Sequence, residues 1–83
     1  MENVEYSKKA FKSLRGLPKR TSGLIVKKIS QMVSNPAELQ NKITPLKVGG
    51  FRLRVGDYRI VYTIEDGIYY IVDVRHGKDV YKK

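Results

Sequence analysis

A change in the spacing of apolar residues after position 50 limits the folds open to this chain more than any other feature of its sequence. From Phe51 onward apolar and basic residues alternate, which is typical of a β-strand with one buried face. Gly56-Asp57 then supplies a two-residue hairpin turn, and the alternation resumes to about residue 64. The turn sets Arg54 opposite Arg59 and Phe51 opposite Tyr62. The second half of the chain is therefore predicted to begin with an antiparallel hairpin.

The first 35 residues have the spacing of amphipathic helices after a short strand at about residues 3–6. Ser7 is a typical N-cap for a helix over residues 8–17. Gly16 and Pro18 separate it from a second helix, and Asn35-Pro36 ends that helix, because the residue before a proline is disfavoured in helical backbone. Residues 36–50 hold two prolines and a Gly-Gly pair with little periodicity, so they are predicted to form a connecting loop. The apolar face of the first helix is predicted to consist of Ala10, Phe11, Leu14 and Leu17.

These patterns predict an α+β fold. A small antiparallel sheet, made of the N-terminal strand and a three-stranded meander, packs on an N-terminal two-helix hairpin. The 83 residues are expected to form one domain, residues 1–83, because a chain of this length buries only roughly 60 to 65% of its unfolded surface and cannot support two cores.

The second turn of the meander has two possible forms. A two-residue Asp66-Gly67 turn would set Ile60 opposite Asp73 and so bring charge onto the apolar face. A three-residue loop over 65–67 keeps that face apolar, and it is preferred for that reason. It predicts that Arg59 faces Asp73 and that Arg75 shares the face of the other arginines. The tyrosines that it places on the core face are Tyr58, Tyr62 and Tyr70.

Composition excludes several classes of site. The chain has no cysteine and one histidine, so it can form neither a disulfide framework nor a site with two histidine ligands. Its longest apolar run, Ile68 to Val72, is far shorter than the roughly 20 residues that span a bilayer, and we expect a cytoplasmic protein without a membrane partner, metal or cofactor. The net charge of +9 indicates a polyanionic partner, nucleic acid foremost, although many small basic domains are merely soluble.

The arginines of the predicted sheet are the strongest candidates for binding phosphate. Like charges opposed on a sheet destabilise it, and the planar guanidinium group matches phosphate oxygens in a bidentate way. The alternative is a solvated face whose side chains splay apart. The end of the chain adds an imidazole for proton transfer and an aromatic ring for base stacking. The alternative is that the imidazole only bonds a backbone group and the ring only seals the edge of the core. The candidate catalytic residues are Arg52, Arg54, Arg59, Arg75, His76 and Tyr81, and the further RNA-binding candidates are Lys47, Lys78 and Lys82.

The sequence resembles the RelE/ParE superfamily of toxins, and most closely its RelE-like mRNA interferase branch. The resemblance covers nearly the whole chain. It is carried by Val4 to Ala10 at the start of the first helix, Leu17-Pro18-Lys19, Asn35-Pro36, the stretch Phe51 to Tyr62, and the closing Asp79-Val80-Tyr81. The fold of this family, a small antiparallel sheet on a helical hairpin, agrees with the fold predicted from periodicity.

The resemblance implies the toxin of a type II toxin–antitoxin system that cuts mRNA in the ribosomal A site without a metal. The RNA 2′-hydroxyl attacks the adjacent phosphate, and the site orients that attack and stabilises the added charge. By resemblance, Arg52 and Arg54 are the basic pair before the turn, Arg59 contacts the scissile phosphate, and Tyr81 stacks on a base or helps to move a proton.

The chain departs from the RelE-like pattern at Gly77, where many members carry an arginine after Gly-His. Arg75 or His76 could take over its role. The alternatives are therefore a ParE-like poison of DNA gyrase and a non-catalytic RNA-binding homologue. The expected partners are mRNA and rRNA on the ribosome and a small, acidic, RelB-like antitoxin. The cations on the two helices either form a solvated face or meet one of these partners.

Overall fold

The computed structural model describes residues 3–77. Tyr81, Lys78 and Lys82 lie outside the described residues. The strands are β1 (Val4–Tyr6), β2 (Ile43–Pro45), β3 (Phe51–Val55), β4 (Tyr58–Glu65) and β5 (Ile68–His76), and the helices are α1 (Lys8–Arg15), α2 (Lys19–Ser34) and a 3-10 segment, Pro36–Lys42.

The α+β architecture is confirmed, but the sheet differs from the prediction in two ways. It has five strands in the order β1-β5-β4-β3-β2, and β1 pairs with β5 in parallel while the other pairs are antiparallel. The prediction that 36–50 is a loop was wrong, because Leu39 of the 3-10 segment enters the core and β2 pairs with β3. Local periodicity records neither difference, because β1 and β5 are far apart in sequence and β2 has only three residues.

The start of α1 follows the prediction. The Ser7 side chain accepts a hydrogen bond from the Ala10 backbone N–H at 3.0 Å, which satisfies one of the donors that a helix start leaves unpaired. Its hydroxyl also donates to the Val72 carbonyl at 2.7 Å, so the helix start is tied to β5. At the other end of α1, the Ser22 hydroxyl of α2 donates to the Leu14 carbonyl at 2.5 Å and joins the two helices.

The first hairpin has the predicted register at all five pairs, from Val55 opposite Tyr58 to Phe51 opposite Tyr62. The second hairpin does not. It turns through two residues, Asp66 and Gly67, whose φ angles of 53° and 79° suit a type I′ turn. The three-residue loop was therefore the wrong choice.

A β-bulge allows this shorter turn without bringing charge into the core. Tyr62 pairs with Ile71 and Val61 with Asp73, so that Val72 is the extra residue in β5. The bulge shifts the remaining pairs by one position and sets Ile60 opposite the buried Val74. The charge clash that argued against the two-residue turn is thus removed by one extra residue in β5.

The core lies between the two helices and one face of the sheet. Phe11 was predicted to be in it but is 57% exposed, and Tyr70, also predicted there, pairs with Thr63 on the other face. Tyr69 packs against the core instead. Within residues 3–77 no helix combines the length and apolarity needed to cross a bilayer. The buried apolar residues are Ala10, Leu14, Ile25, Ile29, Met32, Leu39, Leu53, Val55, Ile60, Tyr62, Ile71 and Val74.

Candidate nucleic-acid interface

Three arginines lie in register across the three central strands of the sheet. Arg54 of β3 pairs with Arg59 of β4, and Arg59 pairs in turn with Arg75 of β5. We call these three residues the arginine row. Directly opposed residues point to the same face, and Ile60 and Val74 occupy the core face, so the row lies on the face turned away from the core. Arg52, two residues before Arg54, shares this face.

The arginine row concentrates positive charge on a small area. Side chains of directly opposed residues start about 5 Å apart, so the row spans about 10 Å. Two unit charges about 5 Å apart repel by on the order of 1 kcal/mol in water, and by more where the surface excludes water. Arg54 and Arg75 are exposed and Arg59 is half-buried. The sheet therefore holds three positive charges directly opposite one another, an arrangement that lowers its stability.

Asp73 is the buried carboxylate beside the row. Its Oδ2 accepts a hydrogen bond from Arg75 Nε at 2.6 Å and lies 3.5 Å from Lys9 Nζ of α1. Its Oδ1 accepts from the Val74 backbone N–H at 2.9 Å. The prediction that Asp73 faces Arg59 was wrong, because the bulge sets it opposite Val61. Asp73 and Arg75 are two residues apart on one strand, a spacing that could have indicated their contact.

Gly77 packs directly against this site. Its backbone N–H donates to the Asp57 carbonyl at 2.5 Å, which ties the end of β5 to the turn between β3 and β4. A Cβ at this position would lie 2.9 Å from that carbonyl oxygen and 3.6 Å from Arg59 Nη2. The residue that lacks the side chain expected from the RelE-like pattern therefore allows the backbone to approach the central arginine closely.

His76 lies on the other side of the sheet from the row. It pairs with Tyr58, and the two rings pack edge to face with their centroids 5.1 Å apart. Both rings line a groove beside α1, and Asp73 and Arg75 line the same groove. The strand register sets Arg75, rather than His76, directly opposite Arg59.

Lys47 is exposed in the turn between β2 and β3, which the Leu46 and Gly50 backbones close by a 3.0 Å hydrogen bond. This turn precedes the first residue of β3, at the opposite end of the strand from Arg54. Lys47 is therefore near Arg52 in sequence but is not part of the row.

Within residues 3–77 no three or more His, Cys, Asp or Glu side chains are grouped so that they could hold a metal ion. Burial, with the Tyr69 hydroxyl nearby as a second cause, raises the pKa of Tyr62 to about 12, so this core tyrosine is neutral at physiological pH.

Comparison with protein families identifies the chain. The family model of the ParE toxin of type II toxin–antitoxin systems matches residues 4–81. The chain belongs to this toxin family. The resemblance to the RelE/ParE superfamily is thereby confirmed, and the protein is a toxin of a type II toxin–antitoxin system. A search of curated protein sequences finds no match.

Solved structures share the fold of the toxin. A chain of the RelBE2 toxin–antitoxin complex of Mycobacterium tuberculosis is 28% identical, with 90% of each chain covered and a TM-score of 0.75. A chain of the intact Escherichia coli RelBE complex is 17% identical over 92% of this chain and 96% of the other, with a TM-score of 0.73. YoeB of Staphylococcus aureus, solved as a dimer, is 24% identical over 90% and 95%, with a TM-score of 0.71.

The toxin has a second surface feature, an apolar groove of about 490 Å³ between α1 and α2. Phe11 of α1 and Val26 of α2 line it and are 57% and 39% exposed. Arg15 and Lys19 lie at the same groove, and the Arg15 guanidinium carbon is 5.8 Å from the centre of the Phe11 ring. The groove thus combines exposed apolar surface with positive charge.

Proposed function

We propose that this toxin is a ribosome-dependent mRNA endonuclease that acts in the cytoplasm and cuts the codon in the ribosomal A site. The observation that carries the proposal is the arginine row, in which Arg54, Arg59 and Arg75 lie opposite one another on the open face of the sheet. Three permanently charged, planar donor groups in one line suit a phosphodiester whose charge increases during the reaction.

The proposed reaction is an internal transesterification. The 2′-oxygen of the RNA forms a bond to the adjacent phosphorus, the bond from phosphorus to the 5′-oxygen breaks, and the proton of the 2′-hydroxyl leaves while the departing oxygen gains one. The products are a 2′,3′-cyclic phosphate and a 5′-hydroxyl. Arg59, at the centre of the row, contacts the scissile phosphate, and its neighbours stabilise the negative charge of the pentavalent intermediate.

Within this proposal Arg75 takes the role of the arginine that many RelE-like toxins carry at the position of Gly77. It faces Arg59 directly, whereas His76 packs on Tyr58 on the other side of the sheet. Arg52 and Lys47 extend the contact with the RNA backbone along and beyond β3. We assign to Tyr81, Lys78 and Lys82 the roles that the resemblance implies, namely stacking on a base and binding RNA.

We also propose that a small RelB-like antitoxin holds the toxin inactive. RelBE2 of Mycobacterium tuberculosis, which is similar in sequence and structure, was solved as a toxin–antitoxin complex. The groove between α1 and α2 suits the apolar face of a partner helix, and Arg15 and Lys19 at the groove favour acidic residues beside that face.

The test is a cleavage assay with purified toxin and ribosomes that carry a defined mRNA, followed by mapping of the 5′ ends. Codon-phased cuts in the A site are expected. Arg59→Gln should slow cleavage by about 100-fold, as removal of one transition-state donor commonly does. Lys27→Gln is the matched control, because it removes one exposed charge from α2 and should cut at the native rate. Intact mRNA with the native toxin would contradict the proposal.

A second candidate function is poisoning of DNA gyrase, which is favoured by the match to the ParE toxin family model. A supercoiling assay separates the two functions. Inhibition of gyrase together with intact mRNA on ribosomes would support the poison, and the reverse result would support the nuclease. Under the poison the arginine row need not contact a scissile phosphate, so Arg59→Gln should leave any gyrase inhibition nearly unchanged.

A further inference from the structure

We infer that Asp73 is a positioning residue, which holds the Arg75 side chain in place within the arginine row. The inference rests on the proposed nuclease function and adds to it a residue that has no part in the catalytic set expected from the sequence. Asp73 is 5% exposed, whereas its partner Arg75 has a side chain that is 51% exposed. A buried group thus holds an exposed one.

The hydrogen bond between them restricts Arg75 in a specific way. It joins Asp73 Oδ2 to Arg75 Nε at 2.6 Å, which is short for a nitrogen donor and typical of a charge-assisted bond. Because Nε is the inner nitrogen of the guanidinium group, the bond fixes the plane of the group. The outer nitrogens, Nη1 and Nη2, remain at the end of the side chain, where they can present a bidentate edge to phosphate.

Asp73 is itself held in place by the bulge. Its Oδ1 accepts from the Val74 N–H, so the carboxylate is bonded to its own strand immediately after the extra residue, Val72. The Ser7 hydroxyl at the start of α1 donates to the Val72 carbonyl, and Lys9 of the same helix reaches Asp73 Oδ2. The helix start therefore supports the carboxylate from the side of α1.

The bulge also decides where Arg75 lies. With the same two-residue turn and no extra residue, Arg59 would pair with Val74, and Arg75 would lie opposite Tyr58. The bulge moves Arg75 by one position, so that it faces Arg59. One short segment of β5 thus sets the register of Arg75 through Val72 and its orientation through Asp73.

The experiment is a double-mutant cycle on single-turnover cleavage of ribosome-bound mRNA. Asp73→Asn keeps an oxygen for the Val74 N–H but places an amide NH₂, which cannot accept a hydrogen bond, toward Arg75. We expect it to lower the maximal single-turnover rate constant by about 10- to 100-fold, with the half-saturating toxin concentration changed less than about twofold, because the arginine is misplaced rather than removed. In an Arg75→Ala protein the same substitution should cause no further loss.

Two further variants keep the test decisive if Asp73→Asn folds poorly. Arg75→Lys leaves Asp73 untouched and retains the positive charge but has no Nε, so its single-turnover rate constant should fall about as far as that of Asp73→Asn. Lys27→Gln is again the matched control, since it removes one exposed cation from α2 and leaves Asp73 and its partners untouched, and its cleavage should stay within about twofold of native.

The outcomes separate this inference from the proposed function. A native toxin that does not cut mRNA overturns both. A native toxin that cuts, together with additive losses in the cycle or a native rate for Arg75→Lys, overturns the positioning role alone. The nitrogen NMR signal of Arg75 Nε–H reports the contact without cleavage, and it should shift in Asp73→Asn but not in Lys27→Gln. An unchanged signal would also count against the role of Asp73.

Discussion

The substitution Arg54→Gln tests whether the arginine row is maintained for function at a cost in stability. Arg54 is exposed at one end of the row and directly opposite Arg59. With the two charges about 5 Å apart, Coulomb's law gives a repulsion of about 0.8 kcal/mol in water. Removing one charge should therefore raise the free energy of unfolding by about 0.5 to 1 kcal/mol at low salt. For a domain of this size that corresponds to a rise in Tm of about 2 to 6 °C.

The assay is thermal or urea unfolding in low and high salt, with Lys27→Gln as the control. Both variants lower the net charge by one, so any difference between them reports the local repulsion within the row. In 1 M salt the screening length is about 3 Å, and the advantage of Arg54→Gln over the control should disappear. Cleavage should fall in the same variant. The reasoning is refuted if Arg54→Gln is no more stable than the control at low salt, or if its advantage does not depend on salt.

Three other changes have defined outcomes. Gly77→Ala would place a Cβ 2.9 Å from the Asp57 carbonyl oxygen. It should lower the free energy of unfolding by about 1 to 3 kcal/mol and reduce cleavage. If the variant unfolds at the same urea concentration as the native protein, the close approach is contradicted. Ser7→Ala removes the cap of α1 and its bond to β5, and urea unfolding should show a loss of about 1 to 2 kcal/mol. The pKa of Tyr62 is raised to about 12 in the folded protein. Above pH 10 the unfolded chain therefore loses the Tyr62 proton while the folded protein keeps it. The free energy of unfolding should fall between pH 10 and 12, by about 2 to 3 kcal/mol in total. A Tyr62→Phe protein should lack that part of the fall, and identical pH profiles for the two proteins would disprove it.

The elements of this fold that were predicted correctly are those set by residues close together in the sequence. The β3–β4 hairpin was predicted at every pair, because a two-residue turn and an alternating pattern together leave one register. The pairing of β4 with β5 was predicted wrongly, since the argument assumed an unbroken strand and Val72 interrupts it. The pairing of β2 with β3 and the parallel pairing of β1 with β5 were missed, because each joins segments that are far apart or only three residues long.

The candidate site shows the same division. That Arg54 faces Arg59 follows from the turn at Gly56 and could be predicted. That Arg75 faces Arg59 could not, because it requires both the shorter turn and the bulge. His76 was a candidate for proton transfer because its imidazole comes at the end of the strand that carries the basic face. Neighbouring residues on a strand point to opposite faces, however, and the structure places His76 against Tyr58.

The sequence by itself determined the two α-helices, the first hairpin and the presence of a basic sheet face, since these depend on spacing and on residues close together in the chain. Its motifs also resembled the toxin family to which the chain belongs. Only the tertiary structure decided that Asp73 binds Arg75 and Lys9, and that three arginines rather than two lie in one row. The physical reason is that one extra residue, stabilised by the start of α1, shifts the register of β5. Its position depends on packing and hydrogen bonds between segments 65 residues apart, such as Ser7 and Val72.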